Sequence, residues 1–404
     1  MTMTRDDIIA ELIAITGAKY TIADRQEMTP YLTDWRGHYH GAALAVTHPG
    51  STDEVARIIQ LADRHAIPVV PQGGNTSLCG GATPDDNGTA IVLSMTRMDR
   101  IRHLDLSSQS IVVEAGCILE HIQIAAEAEG LVFPLNFGAR GTCRIGGNLS
   151  TNAGGLNVVR YGNARQLCLG LEVVTPKGEV MDLLSPLKKD NTGYDLKNLF
   201  IGAEGTLGVI TAATLQLFPE PKARATAWAG VRDINAAITM LQRAQSDSGG
   251  NVIAFELMPR SIVENVREHF PDTIAPLDDM PEFSCLIELA STAAADARPR
   301  ADGTLALQVM MENLLAEGFE DGLVLHATIA QNENQRQAIW AIRDLTPEIE
   351  IKAGPAYKSD ISIPHEHMAE FYDRAATAIR AIVPDVRLFG FGHMGDGNLH
   401  YNLA

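Results

Sequence analysis

The feature that most constrains this chain is a glycine-rich loop, Pro71 to Gly81 (PQGGNTSLCGG), which directly follows a short apolar run. Glycine adopts positive φ and lets other groups approach the backbone closely, so successive N–H groups in such a loop can surround an anion. Thr76 and Ser77 add two hydroxyl donors. The loop predicts a phosphate-binding turn after a strand, with a simple tight turn as the alternative. It is not a GxGxxG fingerprint, and no GxxxxGK[ST] motif occurs in the sequence.

Two further segments share this composition. Gly138 to Gly155 (GARGTCRIGGNLSTNAGG) is too rich in Gly, Asn, Ser and Thr for an ordinary connection, and Phe200 to Thr211 (FIGAEGTLGVIT) places another glycine turn before a strand. Ordering such long loops costs chain entropy, so they need a partner that fixes them. A large cofactor is the natural candidate.

Strand and helix patterns alternate around these loops. Residues 43–49 predict a strand, and Ser51 with Glu54 predicts a capping box at the start of the following helix. A hairpin is expected around residues 176–178, and the spacing of apolar residues near the N-terminus predicts a short amphipathic helix. Residues 1–219 are therefore predicted to form an α/β domain that ends at PEPKA, residues 219–223.

The second half has a different pattern. TAWAGV, IAFELM and FSCLIELAS predict strands, whereas INAAITMLQRAQ, LALQVMMENLLAEG and EFYDRAATAIRAIV predict helices. This order favours an α+β domain over residues 220–404, with an antiparallel sheet and helices on one face. The whole chain is thus expected to be of the α+β class, with an α/β domain followed by an α+β cap domain.

Composition excludes several functions. The net charge is −18, with 50 acidic against 32 basic residues, which argues against nucleic acid as a partner. No apolar run approaches the ~18 residues that a membrane-spanning helix needs. The five cysteines are widely spaced and form no CxxC pair, and the N-terminus has no signal-peptide pattern. A cytoplasmic protein is expected.

The C-terminal segment Gly390 to Asn402 (GFGHMGDGNLHYN) carries the candidate chemistry. Asp396-Gly397 predicts a two-residue hairpin turn, and counting outward from it places His393 opposite His400. Residues directly opposed on one face have Cβ atoms about 5 Å apart. Two imidazoles so placed can share a divalent metal, with Asn402 on the same face; Zn is expected, although Fe and Mn also accept imidazole. A histidine pair without metal is the alternative.

Two other histidines, His365 and His367, also lie close together in the sequence. They follow Pro364 at the predicted start of a helix, so we expect them to be exposed surface residues and not a second metal pair.

The three glycine-rich segments, in this order, resemble the FAD-binding domain of the vanillyl-alcohol-oxidase and p-cresol-methylhydroxylase flavoprotein superfamily. The resemblance implies that the first loop binds the FAD pyrophosphate, that the second runs along the flavin, and that the third lies near the adenosine. Members that attach FAD covalently usually have a His where this chain has Asn75, so the resemblance implies non-covalent FAD. The cofactor-binding residues implied are Pro71, Gly73, Gly74, Asn75, Thr76, Ser77, Gly80, Gly141, Thr142, Gly146, Gly147, Asn152, Gly155, Glu204, Gly205 and Ile210.

The hairpin resembles the C-terminal domain of FAD-linked D-2-hydroxyglutarate and D-lactate dehydrogenases. This resemblance implies that His393 and His400 are catalytic metal ligands and that Arg343 in WAIRDLT clamps the substrate carboxylate. It further implies that Lys358 contacts the far end of the substrate. Asn402 is also expected at the substrate. Thr346 is expected to contact the substrate too, although it falls one position short of the family spacing.

The implied reaction is oxidation of a D-2-hydroxy acid to the 2-oxo acid by hydride transfer to flavin N5, assisted by the metal. In the family a further segment after the hairpin supplies a Glu ligand and a His base, so we expect the chain to be truncated, with a catalytically impaired variant as the alternative. Reduced flavin would pass electrons to an electron-transfer flavoprotein, a quinone or a cytochrome, and a homodimer is possible.

Two alternatives stay open at this point. One is a glycolate oxidase-type flavin subunit that acts mainly in electron transfer within a larger complex. The other is an enzyme of the alkyl-dihydroxyacetone-phosphate synthase type, which uses FAD without net redox and for which more histidines near the hairpin would be expected.

Overall fold

In a computed structural model, which describes residues 4–352 and 356–404, the chain forms two compact units. The first unit comprises the residues up to Gly154 together with Gly162–Glu220, and the second comprises Gly155–Tyr161 and Pro221–Ala404. The chain thus passes into the second unit at Pro221, within the proline-containing segment 219–223. Residues 155–161, which the sequence placed with the first domain, pack with the second unit.

Helices and strands alternate along both units. In chain order, the helices are α1 (Arg5–Thr16), α2 (Arg25–Leu32), α3 (Thr52–His65), α4 (Leu119–Glu127), α5 (Ile145–Ser150), α6 (Val158–Tyr161), α7 (Ala164–Leu167), α8 (Lys197–Phe200), α9 (Ile234–Asp247), α10 (Arg260–His269), α11 (Ala306–Glu320), α12 (Glu333–Lys352) and α13 (His365–Ile382). The strands are β1 (Thr21–Ile22), β2 (Ala45–Thr47), β3 (Val69–Gln72), β4 (Ile91–Ser94), β5 (Ile101–Asp105), β6 (Ser110–Glu114), β7 (Leu131–Val132), β8 (Cys168–Val174), β9 (Val180–Leu183), β10 (Val209–Gln216), β11 (Phe218–Pro219), β12 (Ala223–Val231), β13 (Val252–Pro259), β14 (Phe283–Ser291), β15 (Val324–Ile329), β16 (Asp360–Ser362), β17 (Leu388–Phe391) and β18 (Asn398–Leu403).

The first unit is built on two main sheets. One has the order β1-β2-β4-β3, in which β2, β4 and β3 run parallel and β1 is antiparallel. The other is antiparallel, with the order β5-β6-β10-β8-β9. The first glycine loop leaves the end of β3, as the sequence predicted, and the predicted hairpin joins β8 to β9.

Helix α3 forms because its sequence combines an amphipathic pattern with an N-terminal cap. Its apolar residues recur on one face, so that Val55, Ile58 and Leu61 are fully buried while the opposite face is charged. The Ser51 side chain caps the helix by accepting from the Glu54 amide. The predicted reciprocal bond differs, because the Glu54 carboxylate accepts from the Gly50 amide and not from that of Ser51.

The second unit contains an antiparallel sheet in the order β13-β14-β12-β15 and a smaller one in the order β16-β18-β17. The prediction that helices cover one face of the larger sheet is wrong. Alternate residues of each strand point to opposite faces. Phe255 and Ile287 pack with α9 and α11, whereas Trp228 and Leu286 pack with α10 and α12. Both faces are therefore buried.

The second of these faces carries carboxylates among its apolar residues. Register pairs Glu256 of β13 with Leu286 of β14, and pairs Glu288, two residues further along β14, with Thr226 of β12. Glu256 is 1% exposed and Glu288 is 2% exposed. A buried carboxylate is costly unless it is paired and hydrogen-bonded, so both must have strong partners.

Candidate active site

The three glycine-rich loops lie against one another in the first unit. A Cβ on Gly74 would lie 2.3 Å from the carbonyl oxygen of Thr142, so the first and second loops can meet only with glycine at this position. A Cβ on Gly205 would lie 3.1 Å from Cγ of Pro71, which brings the third loop to the first. These loops are therefore one assembly, and each fixes the conformation of the others.

The assembly fits a bound dinucleotide such as FAD. Asn75 has φ of +52°, which turns the backbone of the first loop, and its side chain donates to the Thr33 carbonyl at 2.8 Å. Arg144 lies beside Gly73 with its guanidinium half-buried. Its Nε is buried with no hydrogen-bond partner among the described residues. Because Arg144 Nη1 donates to the Gly116 carbonyl, it is the glycine-rich turn itself that suits an anionic ligand such as the FAD diphosphate.

Most of the predicted cofactor-binding residues belong to these loops. Ile210 differs because its side chain is buried within β10, so only its backbone neighbourhood can serve a ligand. Gly155 lies in the segment that packs with the second unit. Sequence reasoning did not single out Arg144, which is one of two arginines in the second loop, with Arg140.

The C-terminal hairpin has a different turn from the one predicted. Residues Met394–Asp396 form a 3-10 turn, and only Gly397 of the expected pair has positive φ, at +79°. As a result Phe391, and not His393, is the register partner of His400. The prediction that His393 directly opposes His400 is wrong, because the turn uses more residues than a two-residue hairpin.

The two imidazoles are nevertheless close. The ring centroids of His393 and His400 lie 5.1 Å apart with an interplanar angle of 79°. His393 Nδ1 lies 2.8 Å from Glu256 Oε1, and His400 Nδ1 lies 3.2 Å from Asp360 Oδ1. Each ring therefore has its Nδ1 against a carboxylate, which leaves Nε2 as the other coordinating atom.

Glu256 joins the predicted metal-binding and substrate-binding residues. Its Oε2 accepts from Arg343 Nε at 2.6 Å, while its Oε1 is bonded to His393. Burial favours the neutral acid, but the proximity of His393 and Arg343 outweighs it and lowers the pKa of Glu256 to about 2. Sequence reasoning missed this residue; the signal was a single acid inside the apolar strand IAFELM.

The remaining predicted substrate residues are placed differently from one another. Lys358 is half-buried one residue before Ser359, whose amide donates to Asn402 Oδ1 at 3.1 Å. Asn402 is 3% exposed. Thr346 is fully buried, and its hydroxyl donates to the Ile342 carbonyl of its own helix at 2.9 Å. That bond occupies the hydroxyl proton, so the structure does not present Thr346 as a donor for substrate.

One residue of the second histidine pair differs from expectation. His365 is not an exposed surface residue, because it is half-buried with Nε2 2.7 Å from the Met394 carbonyl in the hairpin turn; His367 is exposed. Within residues 4–352 and 356–404, no three His, Cys, Asp or Glu side chains are grouped to hold a metal ion. The imidazoles of His393 and His400 fit a divalent ion in donor type, and they supply two ligands.

Two family profiles cover most of the chain. Residues 43–184 match an FAD binding domain, and residues 220–404 match the C-terminal domain of FAD linked oxidases. The mitochondrial D-2-hydroxyglutarate dehydrogenase of Arabidopsis thaliana is 37% identical over 391 residues, which covers 96% of this chain and 67% of that protein. The enzyme of the same name from Bos taurus is 36% identical over 100% of this chain and 71% of its own length. The D-2-hydroxyglutarate–pyruvate transhydrogenase of Saccharomyces cerevisiae is 33% identical over 94% of this chain and 75% of its own.

The chain belongs to the family of FAD-linked D-2-hydroxyglutarate dehydrogenases. It is thus an FAD-linked oxidoreductase for a D-2-hydroxy acid, and the family resemblance is confirmed.

Solved structures of low sequence identity share the fold of this chain. p-Cresol methylhydroxylase with substrate bound is similar with a TM-score of 0.76 over 98% of this chain and 82% of that one, at 13% identity. An alkyldihydroxyacetonephosphate synthase gives a TM-score of 0.74 over 99% and 80%, at 16% identity. The α+β class with antiparallel sheets is confirmed. Among the helices described, none has the length and hydropathy needed to cross a membrane.

Proposed function

We propose that the chain oxidises D-2-hydroxyglutarate or a similar D-2-hydroxy acid, that a divalent metal on His393 and His400 assists the reaction, and that FAD is bound non-covalently. The observation that carries the proposal is the shared carboxylate of Glu256, which brings Arg343 and His393 into one cluster with His400 beside them. Three of the residues that we propose for binding a 2-hydroxy acid, Arg343, His393 and His400, therefore lie in one cluster although they belong to separate elements.

Arg343 would bind the carboxylate next to the reacting carbon. Glu256 engages its Nε, which leaves the two Nη groups outside that contact. A planar guanidinium binds a carboxylate through two parallel hydrogen bonds, which orients as well as attracts it. Lys358 would meet a second carboxylate at the far end of a dicarboxylic acid, and this favours 2-hydroxyglutarate over lactate.

His393 and His400 would hold the 2-hydroxyl end through a divalent ion, with Zn proposed and Fe or Mn accepted by the same donors. Such an ion supplies Lewis acidity that lowers the pKa of the substrate hydroxyl. The residues of the three glycine-rich loops would hold FAD, which would supply the redox chemistry of the oxidation. The contribution of the chain's own residues is to fix the orientation of C2 and to exclude water from the buried cluster around Glu256.

The proposed electron acceptor is an electron-transfer flavoprotein, a quinone or a cytochrome. The cytoplasmic location and the homodimer stay predictions.

Anaerobic mixing tests the proposal. The FAD-loaded protein is combined with D-2-hydroxyglutarate, L-2-hydroxyglutarate, D-lactate or glycolate, and the absorbance band of oxidised flavin is followed. Bleaching by the D-dicarboxylate, with weaker bleaching by the monocarboxylates, is expected. Bound FAD that no D-2-hydroxy acid bleaches would refute the proposal and favour a flavin subunit that only transfers electrons.

A further inference from the structure

Glu256 is a buried carboxylate with two partners of different predicted function. Each of its oxygens has its own partner: Oε1 meets Nδ1 of His393 at 2.8 Å, and Oε2 accepts from Nε of Arg343 at 2.6 Å. The partners lie 137 and 87 residues away in the sequence. One side chain in the middle of a sheet thus connects two residues that the fold brings from distant parts of the chain.

We infer that Glu256 is a positioning residue that orients the imidazole of His393 and the guanidinium of Arg343 together, an inference that rests on the proposed function. The Glu256 carboxylate then sets the geometry of both parts of the site. These parts are Arg343, which would bind the substrate carboxylate, and His393, which would face the substrate hydroxyl.

The first consequence concerns the tautomer of His393. A carboxylate accepts but does not donate, so its hydrogen bond to Nδ1 places the proton of neutral His393 on Nδ1. The lone pair then lies on Nε2, where a metal ion or a hydroxyl proton can be received. Histidines that bind metals commonly have such a carboxylate on the other ring nitrogen, which fixes the tautomer and the ring orientation.

The backbone holds Glu256 and His393 at this separation. Leu257 and Gly392, the residues next to them, exchange two hydrogen bonds: the Leu257 amide donates to the Gly392 carbonyl at 2.8 Å, and the Gly392 amide donates back at 3.1 Å. The carboxylate and the ring are therefore fixed to one short antiparallel bridge, and a rotamer change is not needed to bring them together.

The second consequence concerns Arg343. Its Cζ lies 5.3 Å from the ring centre of Phe391, and its side chain is 8% exposed. The hydrogen bond from Nε to Glu256 restricts rotation of the guanidinium plane, and the Nη1 and Nη2 donors lie outside that contact. A substrate carboxylate can then bind without the cost of ordering the side chain.

His400 has a weaker version of the same arrangement. Its Nδ1 lies 3.2 Å from Asp360 Oδ1, but the Asp360 side chain is 68% exposed and its Oδ1 also accepts from Asn398. Water competes for an exposed carboxylate. Asp360 should therefore orient its histidine less firmly than Glu256 does, which provides a graded comparison.

Glu288 provides the matched control. It is buried to the same degree on the same face, and it accepts from Arg224, Arg336, Thr226 and Trp340. None of these partners belongs to the proposed substrate or metal site. Glu288→Gln therefore makes the same chemical change as Glu256→Gln, at a similar depth, without touching His393 or Arg343.

The experiment compares wild type, Glu256→Gln, Asp360→Asn and Glu288→Gln as FAD-loaded proteins. Zn²⁺ affinity is measured by competition with a chromogenic chelator, and KM and kcat are measured with D-2-hydroxyglutarate. A glutamine can accept from His393 through its oxygen only by turning its NH₂ toward the Arg343 donor, so it cannot satisfy both. Glu256→Gln should weaken Zn²⁺ binding about 10- to 100-fold and raise KM, Asp360→Asn should weaken it less, and Glu288→Gln should leave both unchanged.

A second measurement needs no variant beyond the one that assigns the signal. Long-range ¹⁵N–¹H NMR of histidine-labelled, metal-free wild type reports which ring nitrogen of His393 carries the proton, with His393→Gln used for the assignment. The Nδ1–H tautomer is expected. The Nε2–H tautomer, or a Glu256→Gln protein with wild-type Zn²⁺ affinity and KM, would overturn the inference while leaving the proposed function intact. Failure of the proposed function has a different signature, because flavin would then resist reduction by every D-2-hydroxy acid whatever the tautomer.

Discussion

Glu256 and Glu288, two buried glutamates of the second unit, differ in their hydrogen-bond partners. Glu256 and Glu288 lie on the same face of the same sheet, and each is almost fully buried. Glu288 accepts from two arginines, a hydroxyl and an indole, and the side chains of its arginines are 37% and 27% exposed. Glu256 has one arginine and one histidine, and both are themselves largely buried.

The difference shows that burial of a carboxylate does not by itself mark a functional site. Glu288 of β14 forms hydrogen bonds with side chains of β12 and α12, and its arginine partners are partly exposed to solvent. Glu256 instead holds side chains whose other donor or acceptor groups are the ones that the proposed reaction needs. The proposed difference between the two carboxylates therefore lies in their partners, because Arg343 and His393 belong to the proposed substrate and metal site whereas the partners of Glu288 do not.

The largest expected contrast is in stability. Glu256→Leu leaves the buried guanidinium of Arg343 without a counter-charge, which should lower the free energy of unfolding by about 3–5 kcal/mol. Glu288→Leu should cost less, about 2 kcal/mol, because Arg224 and Arg336 can turn to water. Urea denaturation of both FAD-loaded variants measures the two values, and the reverse ranking would contradict the comparison.

The next contrast is in catalysis. Arg343→Lys keeps the charge but loses the planar pair of donors, and lysine cannot reach Glu256 and the substrate with the same geometry. kcat/KM should fall about 100-fold, equal to about 2.7 kcal/mol, for dicarboxylic and monocarboxylic 2-hydroxy acids alike. Arg336→Lys, which alters the Glu288 cluster, is the control and should leave KM as it is. An equal loss in both variants would show that the two clusters do not differ in function.

A smaller effect should appear in acid. The pKa of Glu256 is lowered from 4.5 to about 2, so its contribution to stability is complete above pH 4.5 and is lost as the pH falls toward 2. Glu256→Gln lacks this contribution. The stability difference between wild type and the variant should therefore shrink between pH 6 and pH 3, as measured by urea denaturation at each pH. A difference in the free energy of unfolding that stays constant with pH would show that the partners of Glu256 do not lower its pKa.

The smallest effect checks that the glutamine variants keep the sheet intact. Cys285 of β14 is fully buried on the face opposite Glu288, and burial raises the pKa of its thiol. Cys79 is exposed, whereas the other four cysteines are buried. A disulfide reagent should therefore label one thiol per chain in wild type, Glu256→Gln and Glu288→Gln, and five after denaturation. Labelling of Cys285 in either native variant would show that its sheet has opened.

Local features of the sequence predicted much of the molecule. The strand before the first glycine loop, α3 and the three strands IAFELM, FSCLIELAS and TAWAGV form as expected, because each depends on the spacing of apolar residues within one short segment. The glycine loops were recognisable from their local composition, which is rich in Gly, Asn, Ser and Thr. Arg343, His393 and His400 lie in segments that resemble a known family.

The errors concern the geometry of one turn and the contacts between residues that are distant in the sequence. The register of the hairpin was wrong because the 3-10 turn at Met394–Asp396 uses residues that a count from Asp396-Gly397 assigns to the strands. Glu256 was missed because its partners come from α12 and the hairpin, far away in the chain. Nothing within its own strand says which side chains a buried acid will meet.

Gly392 occupies a position in the hairpin that other residues would enter only with strain. Its φ is +144°, and a Cβ there would lie 3.2 Å from the Asn398 carbonyl oxygen. In a mutational scan, substitutions at Gly392 should be tolerated as poorly as substitutions at His393 and His400, although Gly392 has no functional group. Added imidazole offers a way to tell the two apart: it can replace a ring lost in His393→Gly, but it cannot restore a bridge whose backbone has been forced out of place. Loss of function caused by substitutions in this hairpin can therefore reflect a disturbed backbone as well as a lost reactive side chain.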